Sequence, residues 1–328
     1  MPDLLIIDSD TVKKLLTMPL CIDAMEAAAI AVSNQGITAP QRRAMALHDR
    51  SGVLMLMPGS SVAPPVYGAK MISLHEGNPQ RGLPAIQGYV SLFDHHTGAP
   101  LAIIEGAALT GIRTAAASGM ATRLLARKNA RSHGVFGAGV QARTHIEAVI
   151  AARPSIKETL IWARNYGKAQ ALAEELTQEL GINISVTPEP QMAAACDIVT
   201  TVTAANAPVV LGKWLKPGTH MNVVGGHLAS VREVDTEAVL ASSVYVETVE
   251  TAFAEAGELI IPQQEGVFAQ TDVAGEIGDV ASGKKAARVS EGQITLYKSL
   301  GNVSQDLYAA WAVYNQAKDK NFGVSVPF

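Results

Sequence analysis

Apolar positions after residue 130 alternate between short continuous runs and longer stretches at helical spacing. Short runs bounded by glycine or polar residues are typical of buried strands, whereas apolar residues three and four positions apart indicate helices. The predicted strands cover 132–136, 159–162, 184–186, 198–202, 220–224 and 244–246, and the predicted helices cover 144–152 and 168–180. This alternation predicts an α/β fold of the Rossmann type, a doubly wound parallel sheet covered by helices.

The beginning of the chain has a different, mixed pattern. Apolar residues lie at helical spacing over 15–33. Good helix formers dominate 109–126 and predict a helix that leads out of this region, with Thr110 or Thr114 as its N-cap. Short apolar runs bounded by glycine, proline or aspartate predict strands at 53–57 and 89–93, and the region between them, rich in glycine and proline, is predicted to contain strands and loops around 69–74. Helices and strands are therefore mixed here without regular alternation.

The C-terminal part of the chain is predicted to pack on the N-terminal domain. Residues 306–317 have a helical pattern but lie beyond the alternating block, so we expect this helix to pack on the first domain. The predicted domains are a discontinuous α+β domain, residues 1–118 and 306–328, and a Rossmann domain, residues 119–305.

Composition narrows the class of protein. Of the 328 residues, 48% are hydrophobic and 17% are charged, which is typical of a globular chain large enough for two domains. The formal net charge of −4 lacks the basic surplus that attracts nucleic acid or anionic membranes, so we expect neither as a partner. No secretory signal pattern and no apolar stretch of ~20 residues is found. A cytoplasmic protein that binds small molecules is therefore predicted.

The spacing of cysteines, histidines and acidic residues gives no sign of a metal site. Cys21 and Cys196 lie far apart without a CxxC pattern, so neither a disulfide framework nor a zinc site is predicted. The histidines show no HExxH or comparable spacing. An acidic run is expected to form a solvated helix face, with the members Glu247, Glu250, Glu255 and Glu258.

A glycine-rich turn follows the first predicted strand of the Rossmann block. The sequence from Gly137 to Ala142 has the pattern GxGxxA and lies between a strand and a helix. The first glycine permits a tight turn, the second lets the backbone approach a pyrophosphate, and the small third residue lets helix and strand pack closely. We predict a dinucleotide site at Gly137, Gly139, Val140 and Gln141; the alternative is an ordinary glycine-rich turn.

The end of the second predicted strand indicates which dinucleotide binds. Sites specific for NAD usually place an acidic residue there for the ribose hydroxyls, but this chain has Ala163, Arg164 and Asn165. A guanidinium can pair with a 2′-phosphate in a bidentate way. NADP(H) is therefore the preferred cofactor, contacted by Arg164 and Asn165. NAD(H) is the alternative if Arg164 is only a solvated loop residue.

Residues at the ends of two later strands are further candidates for cofactor contacts. Thr203 follows the strand at 198–202, and Asn222 and Val224 lie at the end of the next strand. A doubly wound sheet binds its ligand at the carboxyl ends of its strands. We therefore expect all three residues to contact the cofactor, with strand-end packing as the alternative for each.

Three runs of sequence resemble the ornithine cyclodeaminase/mu-crystallin family. They are TGIRTAAASGMATRLLA, GAGVQAR and QITLYKSLGNVSQDLYAA, with residues 52–58 and Lys70 also in place. The resemblance covers nearly the whole chain. It implies a homodimer in which the discontinuous domain binds substrate and forms the dimer interface. The family includes cyclodeaminases, ketimine and Δ1-pyrroline-2-carboxylate reductases, some alanine dehydrogenases and crystallins, so the resemblance alone leaves the reaction open.

Three basic residues match family positions that bind the substrate carboxylate. They are Arg42, Lys70 and Arg113. An arginine fork fixes a carboxylate in one plane, and a lysine adds a point charge without demanding geometry. The resemblance also makes Lys70 a candidate catalytic residue. A solvated surface role is the alternative for each cation, and Arg43 could take the place of Arg42.

The loop that contains Gly225 and Gly226 distinguishes between these reactions. In the cyclodeaminase branch of the family, an aspartate follows the two glycines and a lysine lies four residues further on, whereas this chain has His227 and Val231. A cyclodeaminase needs that aspartate to hold and activate a diamine. His227 is expected instead to supply or orient a proton, since an ordinary histidine pKa lies near 6.5. A structural histidine near the cofactor is the alternative.

These residues favour reduction of a cyclic ketimine carboxylate by NAD(P)H. The expected reaction converts Δ1-pyrroline-2-carboxylate to L-proline, with the six-membered Δ1-piperideine-2-carboxylate giving L-pipecolate. One alternative is an ornithine cyclodeaminase that forms proline and ammonia while recycling bound NAD. The other is a crystallin-like NADPH-binding protein without turnover, against which the three intact cations argue.

Overall fold

Strands and helices extend over most of residues 3–328, which the computed structural model describes. Up to residue 125 the elements are β1 (Leu4–Ile7), α1 (Ser9–Leu15), α2 (Met18–Ser33), β2 (Ile37–Thr38), β3 (Arg43–Ala46), β4 (Val53–Ser61), β5 (Val66–Leu74), β6 (Ile86–Asp94), β7 (Pro100–Glu105) and α3 (Gly106–Leu125). The next group consists of β8 (Ser132–Phe136), α4 (Val140–Ala152), β9 (Glu158–Trp162), α5 (Tyr166–Leu180), β10 (Asn183–Val186), α6 (Pro190–Ala194) and β11 (Ile198–Thr201). The last group consists of β12 (His220–Val223), α7 (Thr236–Leu240), β13 (Ser242–Val246), α8 (Val249–Glu255), α9 (Gly257–Gln264), β14 (Gly275–Glu276), α10 (Ile277–Ala281), β15 (Ile294–Lys298), α11 (Val303–Lys320) and β16 (Val324–Val326).

The chain divides into two compact units. The first unit consists of residues up to 113 together with 301–328, and the second consists of residues 114–300. Helix α3 begins in the first unit and continues in the second. Within residues 3–328 no single helix is long and apolar enough to cross a bilayer. One pair of helices, α1 and α2, bent by 86°, passes that test on length and composition alone.

The first unit is a mixed sheet with helices on one face. Its strand order is β16-β1-β7-β6-β5-β4-β2, with β3 also paired to β4, and β1 and β7 are parallel. Helix α11 packs against α2 and against β4 and β5. Along β5, Val66, Lys70 and Ile72 are buried while Tyr67 between them is exposed, as the two-residue period of a half-covered strand requires. Lys70 therefore lies on the face that the helices cover.

The second unit is a parallel sheet with both faces covered. Its order is β10-β9-β8-β11-β12-β15-β13-β14, and every strand pair in it is parallel. Consecutive residues of β8 point to opposite faces: Val135 packs with α4 and α5, whereas Phe136 packs in the cluster that includes residues of α7, α8 and α9. The predicted Rossmann-type α/β fold is confirmed, and the order reverses at β8 and β11, where such sheets bind ligands.

Several predicted elements differ from the structure in ways that have local causes. The helical pattern of 15–33 belongs to two helices, because the chain turns at Leu16 and restarts with Pro19 in the first turn of α2. Thr110 and Thr114 lie inside α3 and do not cap it. Instead, the carboxylate of Glu105 accepts hydrogen bonds from the amides of Ala107 and Ala108 in the first turn of that helix. Strand β15 was not predicted at all, although its β-branched and aromatic residues favour a strand.

Candidate functional site

Lys70 and Arg113 meet at a buried carboxylate in the first unit. Asp306, in the first turn of α11, accepts from Lys70 Nζ at 2.8–2.9 Å and from Arg113 Nε at 2.9 Å. Arg113 also donates from Nη1 to Gln305 Oε1 at 3.0 Å. Asp306 is fully buried, and Lys70 and Arg113 are 2% and 5% exposed. Neither cation is the solvated surface residue that was the alternative for it.

Arg42 reaches the same region from the segment before β3. Its Nη2 donates to the carbonyl oxygen of Gly301 at 2.8 Å. Gly301 has φ +73°, and a Cβ there would lie 2.5 Å from Arg113 Nη1, so a side chain at this position would displace the guanidinium. The neighbouring Arg43 is exposed on β3. The structure thus brings Arg42, rather than Arg43, to the cluster around Gly301 and Asp306.

The charges of this cluster do not balance. Two buried cations, Lys70 and Arg113, share one buried carboxylate, that of Asp306, which leaves one positive charge in excess among these three groups. Burial and the positive charge of Arg113 together lower the pKa of Lys70 to about 8, although Asp306 opposes the shift. Such a site favours an added carboxylate, which would supply the missing negative charge. We call Arg42, Lys70, Arg113 and Asp306 the cation cluster.

Asp306 is a member of the site that sequence reasoning missed. It lies in the run SQDLYAA, which was used only as part of a family resemblance. An acid in the first turn of a helix is ordinarily explained by the helix dipole, so its position gave no reason to pair it with distant cations. The pairing depends on α11 packing against β4 and β5, which is a property of the tertiary structure.

The predicted glycine turn of the second unit has the geometry of a phosphate site. Gly137 has φ +127° and Gly139 is the N-cap of α4, with open space where its Cβ would be and no side-chain cap. The amides of Val140 and Gln141, at the start of α4, have no acceptor within the helix. The buried Oε1 of Gln141 has no partner among the described residues. These backbone amides can donate to a pyrophosphate at the helix N-terminus, and the glycines let it approach the backbone closely.

The residues predicted for the ribose lie directly after β9. Arg164 is exposed there, and no ion pair joins it to an acidic side chain within residues 3–328. Asn165 is the N-cap of α5, and its Oδ1 accepts from the amide of Lys168 at 3.0 Å. The side-chain oxygen of Asn165 therefore has a structural partner already, whereas the Arg164 guanidinium is accessible to a ligand.

The other three predicted cofactor residues lie at or near the carboxyl ends of β11 and β12. The side chain of Asn222 is fully buried and bonds to Thr122 and His220, so its polar atoms already have partners inside the second unit. The hydroxyl of Thr203 donates to Glu233 and accepts from an amide, so it has no donor left for a ligand. Val224 is almost completely buried at the end of β12. The contacts of these three residues fit the alternative of strand-end packing, and their contact with the cofactor stays a prediction.

His227 lies on the exposed loop that follows β12, after Gly226 with φ +77°. The same loop contacts acidic and basic side chains that are completely buried. Lys298, at the end of β15, donates to the carbonyl of Gly226 and forms an ion pair with Glu258 at 3.1 Å. The solvated acidic face predicted for residues 247–258 is therefore wrong for Glu258 and also for Glu247, which is 6% exposed, because both side chains point into the core.

Metal and thiol chemistry receive no support from the side chains of residues 3–328. These residues contain no group of three or more histidine, cysteine, aspartate or glutamate side chains arranged to hold a metal ion. Cys21 and Cys196 are free and buried, and burial raises the pKa of the Cys196 thiol to about 11. Neither thiol is positioned as a nucleophile.

Comparison with known proteins places this geometry in a family. The model of the ornithine cyclodeaminase/mu-crystallin family matches residues 4–321. A Δ(1)-pyrroline-2-carboxylate reductase of Bacillus cereus is 34% identical over 327 residues, which cover 99% of this chain and 100% of the relative.

Two solved structures share the fold over nearly their whole length and that of this chain. The Thermococcus litoralis Δ(1)-pyrroline-2-carboxylate reductase in complex with NADH and L-proline has a TM-score of 0.93, at 35% identity and 98% and 100% coverage. An archaeal alanine dehydrogenase dimer with bound NAD has a TM-score of 0.92, at 31% identity and 99% coverage of each chain. The chain belongs to the ornithine cyclodeaminase/mu-crystallin family.

Proposed function

We propose that this protein reduces cyclic ketimine carboxylates with a nicotinamide dinucleotide as the hydride donor. The five-membered Δ1-pyrroline-2-carboxylate gives L-proline, and the six-membered Δ1-piperideine-2-carboxylate gives L-pipecolate. The observation that carries the proposal lies in the cation cluster of the first unit, where the buried cations Lys70 and Arg113 share the single buried carboxylate of Asp306, an arrangement suited to a further carboxylate. The relatives named Δ(1)-pyrroline-2-carboxylate reductase support it.

The cation cluster binds the substrate carboxylate in this proposal. Arg42 and Arg113 supply planar donors, and Lys70 supplies a point charge from β5. Asp306 Oδ1 accepts from both Lys70 and Arg113, so neither side chain has to be ordered when the substrate binds. Ordering these side chains in advance reduces the entropy cost of binding and fixes the ring in one orientation.

The reaction requires a protonated ring nitrogen, because a positive nitrogen makes the adjacent carbon a better acceptor of hydride. A reduced nicotinamide supplies that hydride when it is bound. His227 supplies or orients the proton on the nitrogen, since a histidine changes its charge near neutral pH. Lys70, with a pKa of about 8, contributes to the positive field around the substrate and is the second catalytic candidate.

The absence of an aspartate after the two glycines argues against a cyclodeaminase. That reaction has to hold and activate a diamine, and His227 occupies the position at which the cyclodeaminase branch has the acidic side chain. The cation cluster argues against a protein that only binds the dinucleotide, because such a protein has no need of a carboxylate site.

NADP(H) is the proposed cofactor, with its pyrophosphate at the start of α4. Val140 and Gln141 would donate backbone amides to the phosphates, and Arg164 would pair with the 2′-phosphate. The Thermococcus litoralis structure contains NADH, so the preference for NADP(H) rests on this chain's own residues after β9. Comparison of the dissociation constants of NADPH and NADH tests the preference, and tighter binding of NADH contradicts it.

The protein is also proposed to form a homodimer through the outer face of the first unit's sheet. Exposed apolar side chains lie on its strands, with Met45 on β3, Leu56 on β4, Tyr67 on β5 and Tyr89 on β6. Water-exposed apolar surface of this kind marks an association site, and the archaeal relative is a dimer. Sedimentation analysis tests it, and a monomer at all concentrations contradicts it.

An absorbance assay at 340 nm tests the function. NADPH oxidation is followed with Δ1-pyrroline-2-carboxylate, Δ1-piperideine-2-carboxylate, and pyruvate plus ammonia, while ornithine is tested separately for ammonia release. Reduction of either cyclic imine is expected. Ammonia release from ornithine without a change in NADH absorbance supports the cyclodeaminase. Tight NADPH binding without any turnover supports a binding protein.

A further inference from the structure

The loop that carries His227 is held by a lysine that is completely buried. Lys298 is the last residue of β15 and lies opposite Val223 in the parallel register with β12. Its ammonium group donates to the carbonyl oxygens of Gly225 at 2.6 Å and Gly226 at 3.0 Å, and it lies 3.1 Å from Glu258 Oε2. A lysine has three N–H donors, and two of them are used by these carbonyl oxygens while the charge is compensated by Glu258.

Glu233, a second buried charged residue, bonds to the amide of Gly225, whose carbonyl oxygen accepts from Lys298. Glu233 Oε2 accepts from the amide of Gly225 and from the hydroxyl of Thr201, both at 2.7 Å. Its Oε1 accepts from the amide and the hydroxyl of Thr203, both at 2.6 Å. Burial raises the pKa of Glu233, while the hydrogen bonds from Thr203 and Thr201 oppose that shift. The backbone amide of Glu233 donates to Glu258 Oε1 at 3.0 Å, which connects the two carboxylates.

These contacts fix the base of the loop and leave His227 exposed beyond it. Both backbone groups of Gly225 are bonded to charged side chains, and a Cβ there would lie 2.4 Å from the carbonyl oxygen of Thr203. Gly226 follows with φ +77°. At the far end of the loop, the carbonyl oxygen of Val231 lies 2.0 Å from the place where a Cβ of Gly257 would be. The chain therefore has little freedom on either side of His227.

Stability alone gives no reason to bury these charges. Moving an ion into the interior costs several kcal/mol, and apolar residues of similar volume often replace a buried ion pair without loss of stability. Lys298, Glu258 and Glu233 are nevertheless fully buried. The directed contacts to Gly225 and Gly226 are something that apolar side chains could not supply.

We propose that Lys298, Glu258 and Glu233 are positioning residues that hold the Gly225–Gly226 backbone and so place His227 for proton transfer. This inference rests on the proposed function for the role of His227, but not for the conformation of the loop. The three residues act through the backbone and do not touch the substrate.

A double-mutant cycle tests the catalytic half of the inference. Lys298→Met with Glu258→Gln removes one charge of each sign, so the buried charge stays balanced while the donors to Gly225 and Gly226 are lost. The pair is expected to lower kcat for the imine by about tenfold or more, because a small misplacement of a reacting group can cost about 100-fold. In a His227→Gln background the same pair should change kcat less than about twofold, since coupled residues are not additive. Equal losses in both backgrounds, or an unchanged kcat in the first, overturn the inference.

Nuclear magnetic resonance of labelled histidine tests the structural half without turnover. The ring signal of His227 is identified by its loss in His227→Gln. This signal should shift or broaden in the charge-balanced pair Lys298→Met with Glu258→Gln. The control is Arg127→Met with Asp197→Asn, which also removes one ion pair but does so just before β11, at the ends of the parallel strands opposite to the His227 loop. In this control the signal should stay in place. A His227 signal that is unchanged in the first pair, or equally changed in the control, overturns the inference.

A further variant keeps the test valid if the first pair does not fold. Glu233→Gln keeps the side-chain shape but presents an amide donor to groups that are themselves donors, so the same shift and the same lack of additivity with His227→Gln are expected. If the wild-type protein reduces no imine, the proposed function has failed, and the histidine signals alone decide on the loop.

Discussion

The pKa of Lys70 makes the binding of an anionic ligand depend on pH in a defined way. Burial and the nearby Arg113 lower this pKa from 10.5 to about 8, so Lys70 is charged below pH 8 and loses its charge above it. At pH 9 about one Lys70 in ten is protonated, which corresponds to about tenfold weaker binding than at pH 7, or about 1.4 kcal/mol. Lys70→Arg should remove this dependence, because a guanidinium stays charged throughout.

Calorimetry with pyrrole-2-carboxylate and saturating NADP+ measures the effect. This planar ligand has an ionised carboxylate and no basic nitrogen, so its own charge stays constant between pH 6.5 and 9.5. The wild-type affinity should be level up to about pH 8 and then decrease, with uptake of close to one proton per ligand at pH 9 in buffers of different ionisation enthalpy. Lys70→Arg should show level affinity and no proton uptake above pH 8. A wild-type affinity that is level to pH 9.5, without proton uptake, refutes the reasoning.

Three other measurements address stability and cofactor choice. His133, His145 and His220 are buried, and burial lowers their pKa values to about 3, 4 and 3 from 6.5. Because the unfolded chain binds these protons more readily, the free energy of unfolding should decrease as the pH falls below 6.5, by about 2 kcal/mol per histidine between pH 7 and pH 5. Urea unfolding at the two pH values checks this, and equal stability contradicts it. Arg164→Ala should weaken binding of NADPH about tenfold and leave NADH unchanged in a fluorescence titration, since hydrogen bonds to charged groups contribute about 1.5–3 kcal/mol; equal loss for both dinucleotides contradicts it. Asp306→Asn should destabilise the first unit by about 3–5 kcal/mol in urea, because it leaves buried cations without their anion; a loss below about 1 kcal/mol argues against that pairing.

The parallel sheet was predictable because its signals are local. Each strand is a short apolar run followed by a turn and a helix, and the glycine turn at Gly137 requires only its neighbours to be recognised. The family resemblance, which the family model confirms, rests likewise on short runs in a fixed order. Strand β15 was missed because it follows an irregular stretch and pairs with β12 and β13, which precede it by many residues. Its place in the middle of the sheet is a result of pairing rather than of its own sequence.

The burial and direction of individual side chains could not be predicted from the sequence. The glutamates between 247 and 258 look alike in sequence, yet Glu258 is buried against Lys298 while Glu250 is exposed. Asn222 was expected to face a ligand because it ends a strand, but an alternating strand sends successive side chains to opposite faces, and this one bonds inside the unit. A position at a strand end therefore fixes the place of the backbone but not the direction of the side chain.

The alternation of strands and helices, the glycine turn, the family and three candidate cations could be recognised without coordinates, since each depends on residues close together or on a short motif. The folded structure was needed to show that Lys70 contacts Asp306, 236 positions away along the chain, and that Lys298 and Glu233 bond to the backbone of the loop that carries His227. Those pairings form when distant segments pack together. The burial that makes their charges consequential comes from that packing, because a charge interacts strongly only where water is excluded.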